Sequence, residues 1–241
     1  MNIIKNNAPE FKKVKFHCDD CLNKKLNEFE LIKNHLNHYN TTAIIGTMGS
    51  GKTSLTINLL KLFKKTFHKI YVFMPAYSRN SLDEKILDQL PEDQLFNTLD
   101  SASIDHVYQQ VQEFSLQGMK TLIIYDDVQK SLKDPLVLNK LKNLIANQRH
   151  LKICNWILLQ NWFSLHLSLR EIINNVILFK LGKVQQEKIF NEVVELHKDK
   201  FDDIVNKVYD EPYQWLFINV GSQRIYKQFD ELLLTDNTEN L

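Results

Sequence analysis

The sequence is poor in several residues whose abundance would announce a function class. Only 6 of its 241 residues are glycine and 5 are proline, which leaves no room for collagenous repeats, long Gly- or Pro-rich linkers or low-complexity tracts. Its 3 cysteines are odd in number and too few for a disulfide framework, a usage that suits a reducing compartment. Cys18 and Cys21 form one CxxC pair beside His17, but no second pair completes the four ligands of a structural zinc site, so they are read as free thiols; Cys154 is read as core. Charge of either sign is not in excess: 30 Lys+Arg balance 29 Asp+Glu for a formal +1. A nucleic-acid or membrane partner must therefore be argued from a site and not from bulk electrostatics. Apolar runs such as Trp156–Leu159 and Val176–Phe179 are far shorter than the ~18 residues of a bilayer span. Residues Met1–Asn7 carry no apolar signal core, and the expectation is a protein neither secreted nor membrane-embedded. Arginine is scarce as well, with only Arg79, Arg149, Arg170 and Arg224. In so lysine-rich a chain each of them is a candidate for a task that needs a planar guanidinium.

What remains is an ordinary globular composition, 44% hydrophobic. At this length roughly 70–75% of the unfolded surface is buried on folding, enough for one full α/β domain. Apolar, β-branched or aromatic runs at 42–45, 70–73, 122–125, 153–159, 176–179 and 215–220 read as strands. Helical spacing over 52–67, 83–90, 104–116, 135–146 and 184–197 alternates with them. This order predicts a mostly parallel sheet covered by helices on both faces. Residues 1–40, with a lead-in strand at 14–16 and a helix over 22–36, are expected to be an extension packed on a core domain of 41–230. The acidic stretch 231–241 is expected to fray.

Half of the glycines fall within six positions, and that concentration locates the chemistry. Gly46, Thr47, Met48, Gly49, Ser50, Gly51, Lys52 and Thr53, followed by Ser54, match G-x-x-x-x-G-K-[ST] between a predicted strand and a predicted helix. Glycines let backbone N–H groups turn inward around a β-phosphate, and the helix start adds unsatisfied donors. Lys52 reaches β and γ oxygens, and the Thr53 hydroxyl is a Mg²⁺ ligand. A second element, Leu122-Ile123-Ile124-Tyr125-Asp126-Asp127, is an apolar strand ending in two carboxylates. It reads as a Walker B segment, with Asp126 on Mg²⁺ and Asp127 orienting or deprotonating the attacking water. The long interval between the two elements implies an additional strand between them in the sheet, as in RecA-like P-loop NTPases. Asn139-Lys140-Leu141-Lys142 lacks the Asp of a guanine-reading N-K-x-D element, and ATP is therefore the expected nucleotide.

Beyond these two segments the residues resemble the FtsK/HerA superfamily, and within it the genome-packaging ATPases of poxviruses, other large DNA viruses and virophages. The resemblance spans about residues 42–180. It is carried by the phosphate loop, the Asp126-Asp127 pair, Gln148-Arg149-His150, Trp156–Gln160, and Ser168-Leu169-Arg170 leading to Asn174, with looser spacing in that last segment. It implies Mg²⁺-dependent ATP hydrolysis in which Gln160 is a γ-phosphate sensor. It also implies an arginine finger supplied in trans, Arg149 ranked before Arg170. The implied partners are double-stranded DNA gripped through its backbone without sequence preference, further copies of the chain in a homo-oligomeric ring, and capsid components. The implied place of action is host cytoplasm or viral factory, with virion association. Two other readings stay open: a helicase-like additional-strand ATPase, and a nucleotide-switched virion assembly or export protein. No nuclease constellation follows residue 180, where Glu187, Glu192, Glu195, Asp199, Asp202 and Asp203 read as a solvated helical face.

Overall fold

The computed structural model describes residues 2–4, 36, 39–82, 86–194 and 199–233. The expected strand at 14–16, the CxxC pair, nearly all of the helix over 22–36 and the tail from 234 lie outside these residues. The described chain forms one ten-stranded sheet in the order β1-β10-β9-β8-β7-β2-β6-β5-β3-β4. The strands are β1 (Asn2–Ile4), β2 (Thr41–Ile45), β3 (Lys69–Phe73), β4 (Leu95–Phe96), β5 (Thr121–Tyr125), β6 (Ile153–Leu159), β7 (Asn175–Phe179), β8 (Trp215–Asn219), β9 (Arg224–Lys227) and β10 (Asp230–Leu233). The six strands from β7 to β4 run parallel, as the alternating strand and helix pattern predicts. β6 lies between β2, which carries the phosphate loop, and β5, which ends at Asp126. The additional-strand expectation is met.

The helices are α1 (Lys52–Phe63), α2 (Ala76–Asn80), α3 (Ser101–Leu116), α4 (Pro135–Ala146), α5 (Leu167–Arg170), α6 (Lys183–Val193) and α7 (Asp199–Val208). Their starts follow local chemistry. Asp100 caps α3 by accepting from the Ser103 backbone N–H at 2.8 Å, while the Ser103 hydroxyl returns the bond to the cap. α4 opens with Asp134 as cap and Pro135 at its first position. Strands β2, β5, β6 and β7 are buried along their whole length, because helices cover both faces. Ala43 and Ile45 join one core layer with α3, α4, α6 and α7, and Ile44 joins the other with α1 and Trp156. Cys154 is buried there as expected, its thiol pushed up to about 11 by desolvation.

Three expectations are corrected. β8, foreseen as one more strand, runs antiparallel to β7 and starts an antiparallel extension through β9, β10 and β1. The frayed stretch does not begin at 231, because β10 pairs on both sides and Leu232 is buried in the core. The helix expected over 83–90 is, in its described part, a 3₁₀ turn at Leu87–Gln89. Pro91 follows directly, and a residue before proline is driven out of the helical region: Leu90 is extended at ψ 143°.

Candidate nucleotide site

The phosphate loop leaves β2 at its carboxyl end and enters α1. At Gly46 an added Cβ would lie 2.4 Å from Ser50 Oγ and 2.8 Å from Phe179 Cβ, so no larger residue fits. Gly51 is left-handed, at φ 102°, and caps α1. The first turn of α1 has no acidic residue and no side-chain cap, so its free N–H groups and dipole face an anion unopposed. Thr47, Met48 and Gly49 form an exposed apex. Lys52 is buried, and its ammonium donates to the carbonyls of Gly46 at 2.7 Å and Thr47 at 2.8 Å. Burial pulls its pKa below the usual lysine value, and the negative charges of Asp126 and Asp127 oppose that pull.

The Walker B strand β5 delivers its carboxylates beside the loop. Thr53 Oγ1 donates to Asp126 Oδ2 at 3.1 Å. Asp126 is 7% exposed, and its carboxyl is pushed up to about 6, chiefly by desolvation and then by Asp127, with Thr53 and Lys52 acting the other way. A buried carboxylate next to a threonine hydroxyl is the hard-oxygen pair that Mg²⁺ takes in phosphate-loop sites, where substrate and water complete the shell. The two residues fit that ion. Among the described residues no cluster of three or more His, Cys, Asp or Glu could hold a metal by itself.

The raised Asp126 pKa carries a stability prediction. Its unfolded value is near 3.9, so between about pH 4 and 6 the native state binds more protons than the unfolded chain, and native stability is lost as pH rises through that window. In the absence of Mg²⁺, Asp126→Asn should therefore unfold later than wild type at pH 7.5, by on the order of 2–3 kcal/mol. The two should converge near pH 4. Denaturant titrations at both pH values check this, and equal stability at pH 7.5 would mean that Asp126 is solvated.

Asp127 lies just past the end of β5 with left-handed φ 58°, a conformation Asp tolerates better than most side chains. Two neighbours hold its carboxylate. Ser78 Oγ donates to Oδ2 at 3.0 Å and Gln160 Nε2 to Oδ1 at 3.3 Å. Gln160, the expected sensor, stands at the carboxyl end of β6 and touches the residue expected to handle the water. Ser78 was missed. It lies on α2, past the carboxyl end of β3, and the only available hint is that polar residues at that edge of a parallel sheet face the ligand crevice.

The two finger candidates are placed differently. Arg170 is held inside its own chain: it bonds Glu192 Oε1 at 2.6 Å and pairs with Oε2, and its guanidinium lies over the rings of Phe163 and Trp162. Trp162 Nε1 donates to the same Glu192 at 3.0 Å, so Glu192, exposed as expected of a solvated face, also holds Arg170 and Trp162 in place. Arg149 is exposed in the turn entering the amino end of β6. That turn is roughly 20 Å from Gln160, across seven residues of strand. Its neighbour Gln148 is buried, linking Thr41 Oγ1 at 2.7 Å to the Asn174 side chain at 2.9 Å.

Comparison with known proteins agrees with this architecture. The model of the family described as Poxvirus A32 protein matches residues 26–209. No curated protein sequence matches. Among solved structures, the genome packaging NTPase B204 from Sulfolobus turreted icosahedral virus 2, in complex with ATP-gammaS, is similar at TM-score 0.58 and 15% identity, over 83% of this chain and 100% of that one. EssC (ATPases 2 and 3) from Geobacillus thermodenitrificans is similar at TM-score 0.56 and 15% identity, over 84% of this chain and 41% of that one. The pCW3 conjugation coupling protein TcpA with ATPgS is similar at TM-score 0.54 and 13% identity, over 81% and 61%. At such identities the likeness is one of fold, that of a P-loop NTPase.

Proposed function

The chain belongs to the poxvirus A32 protein family, and from that premise we propose that it is an ATP-hydrolysing translocase that packages viral double-stranded DNA, working as a homo-oligomeric ring in host cytoplasm or viral factory. The observation that carries the reading is the Gln160–Asp127 contact, which joins the sensor at the end of β6 to the carboxylate at the end of β5. The fold-level likeness to the genome packaging NTPase B204 supports the packaging role.

In this reading the backbone of Gly46–Ser54 and the first turn of α1 wrap the β-phosphate, and Lys52 turns its ammonium toward the β and γ oxygens. Thr53 and Asp126 would hold Mg²⁺, which when bound supplies positive charge to those oxygens. Asp127, aimed by Ser78 and Gln160, accepts the proton of the attacking water. Loss of the γ-phosphate relaxes Gln160, and the seven-residue strand β6 carries the change across the sheet to the turn holding Arg149. DNA is gripped by its phosphates, which needs no recognition motif, and capsid components are the remaining partners.

The test measures ATP turnover with and without mixed-sequence duplex DNA, with particle mass by light scattering. Turnover stimulated by duplex and weakened by salt, in particles of several 28.4 kDa subunits, is expected. Nucleotide binding without DNA-stimulated turnover would turn the reading into a nucleotide switch, and strand separation would turn it into a helicase.

A further inference from the structure

Beside the phosphate loop opens a cavity of about 480 Å³, lined by the start of α1, Phe179 at the end of β7, the segment Glu211–Trp215 and Gln228. Its size suits a small-molecule ligand. Two aromatic rings stand where the loop becomes helix: a Cβ placed on Gly51 would lie 3.6 Å from both Phe179 Cε1 and Tyr213 Cδ1. Tyr213 is 49% exposed and left-handed at φ 64°, an unusual backbone for an aromatic residue. Strain of this kind clusters where a side chain must be aimed at a ligand. Gln228 is left-handed too, at φ 54°, in the first position of the two-residue β9–β10 loop that glycine usually fills. Its Nε2 donates to Gln214 Oε1 at 2.7 Å.

We propose that this cavity is the base subsite of the nucleotide site: a purine stacks on Tyr213 beside Phe179, and the Gln214–Gln228 amide couple reads its polar edge without choosing between adenine and guanine. The inference rests on the phosphate-loop reading above and deepens it. The internal bond of the couple does not involve the Gln214 Nε2 donor group or the Gln228 Oε1 acceptor. If both amides turn over, that bond is kept while this donor and acceptor exchange places. Adenine offers an acceptor at N1 and a donor at its 6-amino group, and guanine a donor at N1 and an acceptor at O6. The two purine edges are thus the same pair of positions with opposite polarity, and the couple meets either. A carboxylate in this place, which only accepts, would instead fix guanine.

Calorimetric titration of the full chain with ATP, GTP and tripolyphosphate, each with Mg²⁺, tests the assignment. Wild type should bind ATP and GTP with similar affinity, both more tightly than tripolyphosphate. Tyr213→Ala should lose about tenfold or more for both purine nucleotides, as when a base loses its stacking partner, while its tripolyphosphate affinity stays unchanged. Tyr213→Phe, which keeps the ring, should restore the wild-type pattern. Tripolyphosphate bound by wild type as tightly as ATP, or lost in step with ATP in Tyr213→Ala, would remove the base from this cavity with the phosphate loop intact. A preference of two orders of magnitude for one purine would overturn the exchange of amide polarity. Wild type that binds neither ATP nor tripolyphosphate would bring down the phosphate-loop reading, and the base subsite with it.

Discussion

Lys52→Ala is expected to abolish nucleotide turnover and leave a folded protein. The ammonium is the one positive side chain that donates into the phosphate loop among the described residues, bonded to the carbonyls of Gly46 and Thr47, and its loss removes the charge facing the β and γ oxygens. Stability changes little for two reasons. The residue opens α1, where Ala is the best helix former. Its charge is also held at a desolvation cost, visible in its lowered pKa, so removal relieves one term while giving up two hydrogen bonds. Asp127→Asn separates the other half of the site. It keeps the shape and one acceptor oxygen, so it can still accept from Gln160 while its amide nitrogen donates to the Ser78 hydroxyl, but it cannot take a proton, so it should bind Mg-ATP and hydrolyse it roughly 10²-fold or more slowly. Single-turnover hydrolysis and nucleotide titration on the two variants check both halves. Full turnover by Lys52→Ala contradicts the phosphate-loop assignment, and lost binding in Asp127→Asn with binding kept in Asp126→Asn exchanges the roles of the carboxylates.

Most of this site can be read in sequence because its constraints are local. Gly46 has no room for a Cβ and Gly51 needs a left-handed backbone, while the five buried residues of β5 end where the carboxylates begin. The parts that were missed depend on register. Phe73 pairs with Tyr125, which brings the chain just past β3, and with it Ser78, beside Asp127; nothing around Ser78 announces that pairing. Glu192 looks like one acid among many in a polar helix, yet it meets Arg170 and Trp162 from the segment between β6 and β7. The β9–β10 hairpin turns through Gln228 and Phe229, without the Asn-Gly or Gly-X pair that signals such a loop. It went unseen, and with it the place of Gln228 in the wall of the cavity beside the phosphate loop.

Arg149→Ala should cost turnover across a subunit boundary and not within its own chain. The turn carrying Arg149 is at the amino end of β6 while the phosphates are expected beyond the carboxyl end, so the guanidinium cannot reach the site of its own chain. It is exposed, with no ion-pair partner among the described residues, whereas Arg170 is committed to Glu192 and two aromatic rings. A finger given in trans is worth roughly 10³–10⁵ in turnover, so the Arg149→Ala protein alone should be nearly inactive while still binding ATP. Mixed with Lys52→Ala subunits, which keep the arginine, it should regain part of the activity at interfaces that join an intact loop to an intact finger. Arg170→Ala should instead lower stability by breaking a half-buried pair, and its defect should not be complemented. If mixtures rescue Arg170→Ala and not Arg149→Ala, the two arginines exchange roles. If neither is rescued and the protein stays monomeric with ATP and duplex DNA, β6 has no neighbour to signal to, and the ring motor gives way to a nucleotide switch acting within one chain.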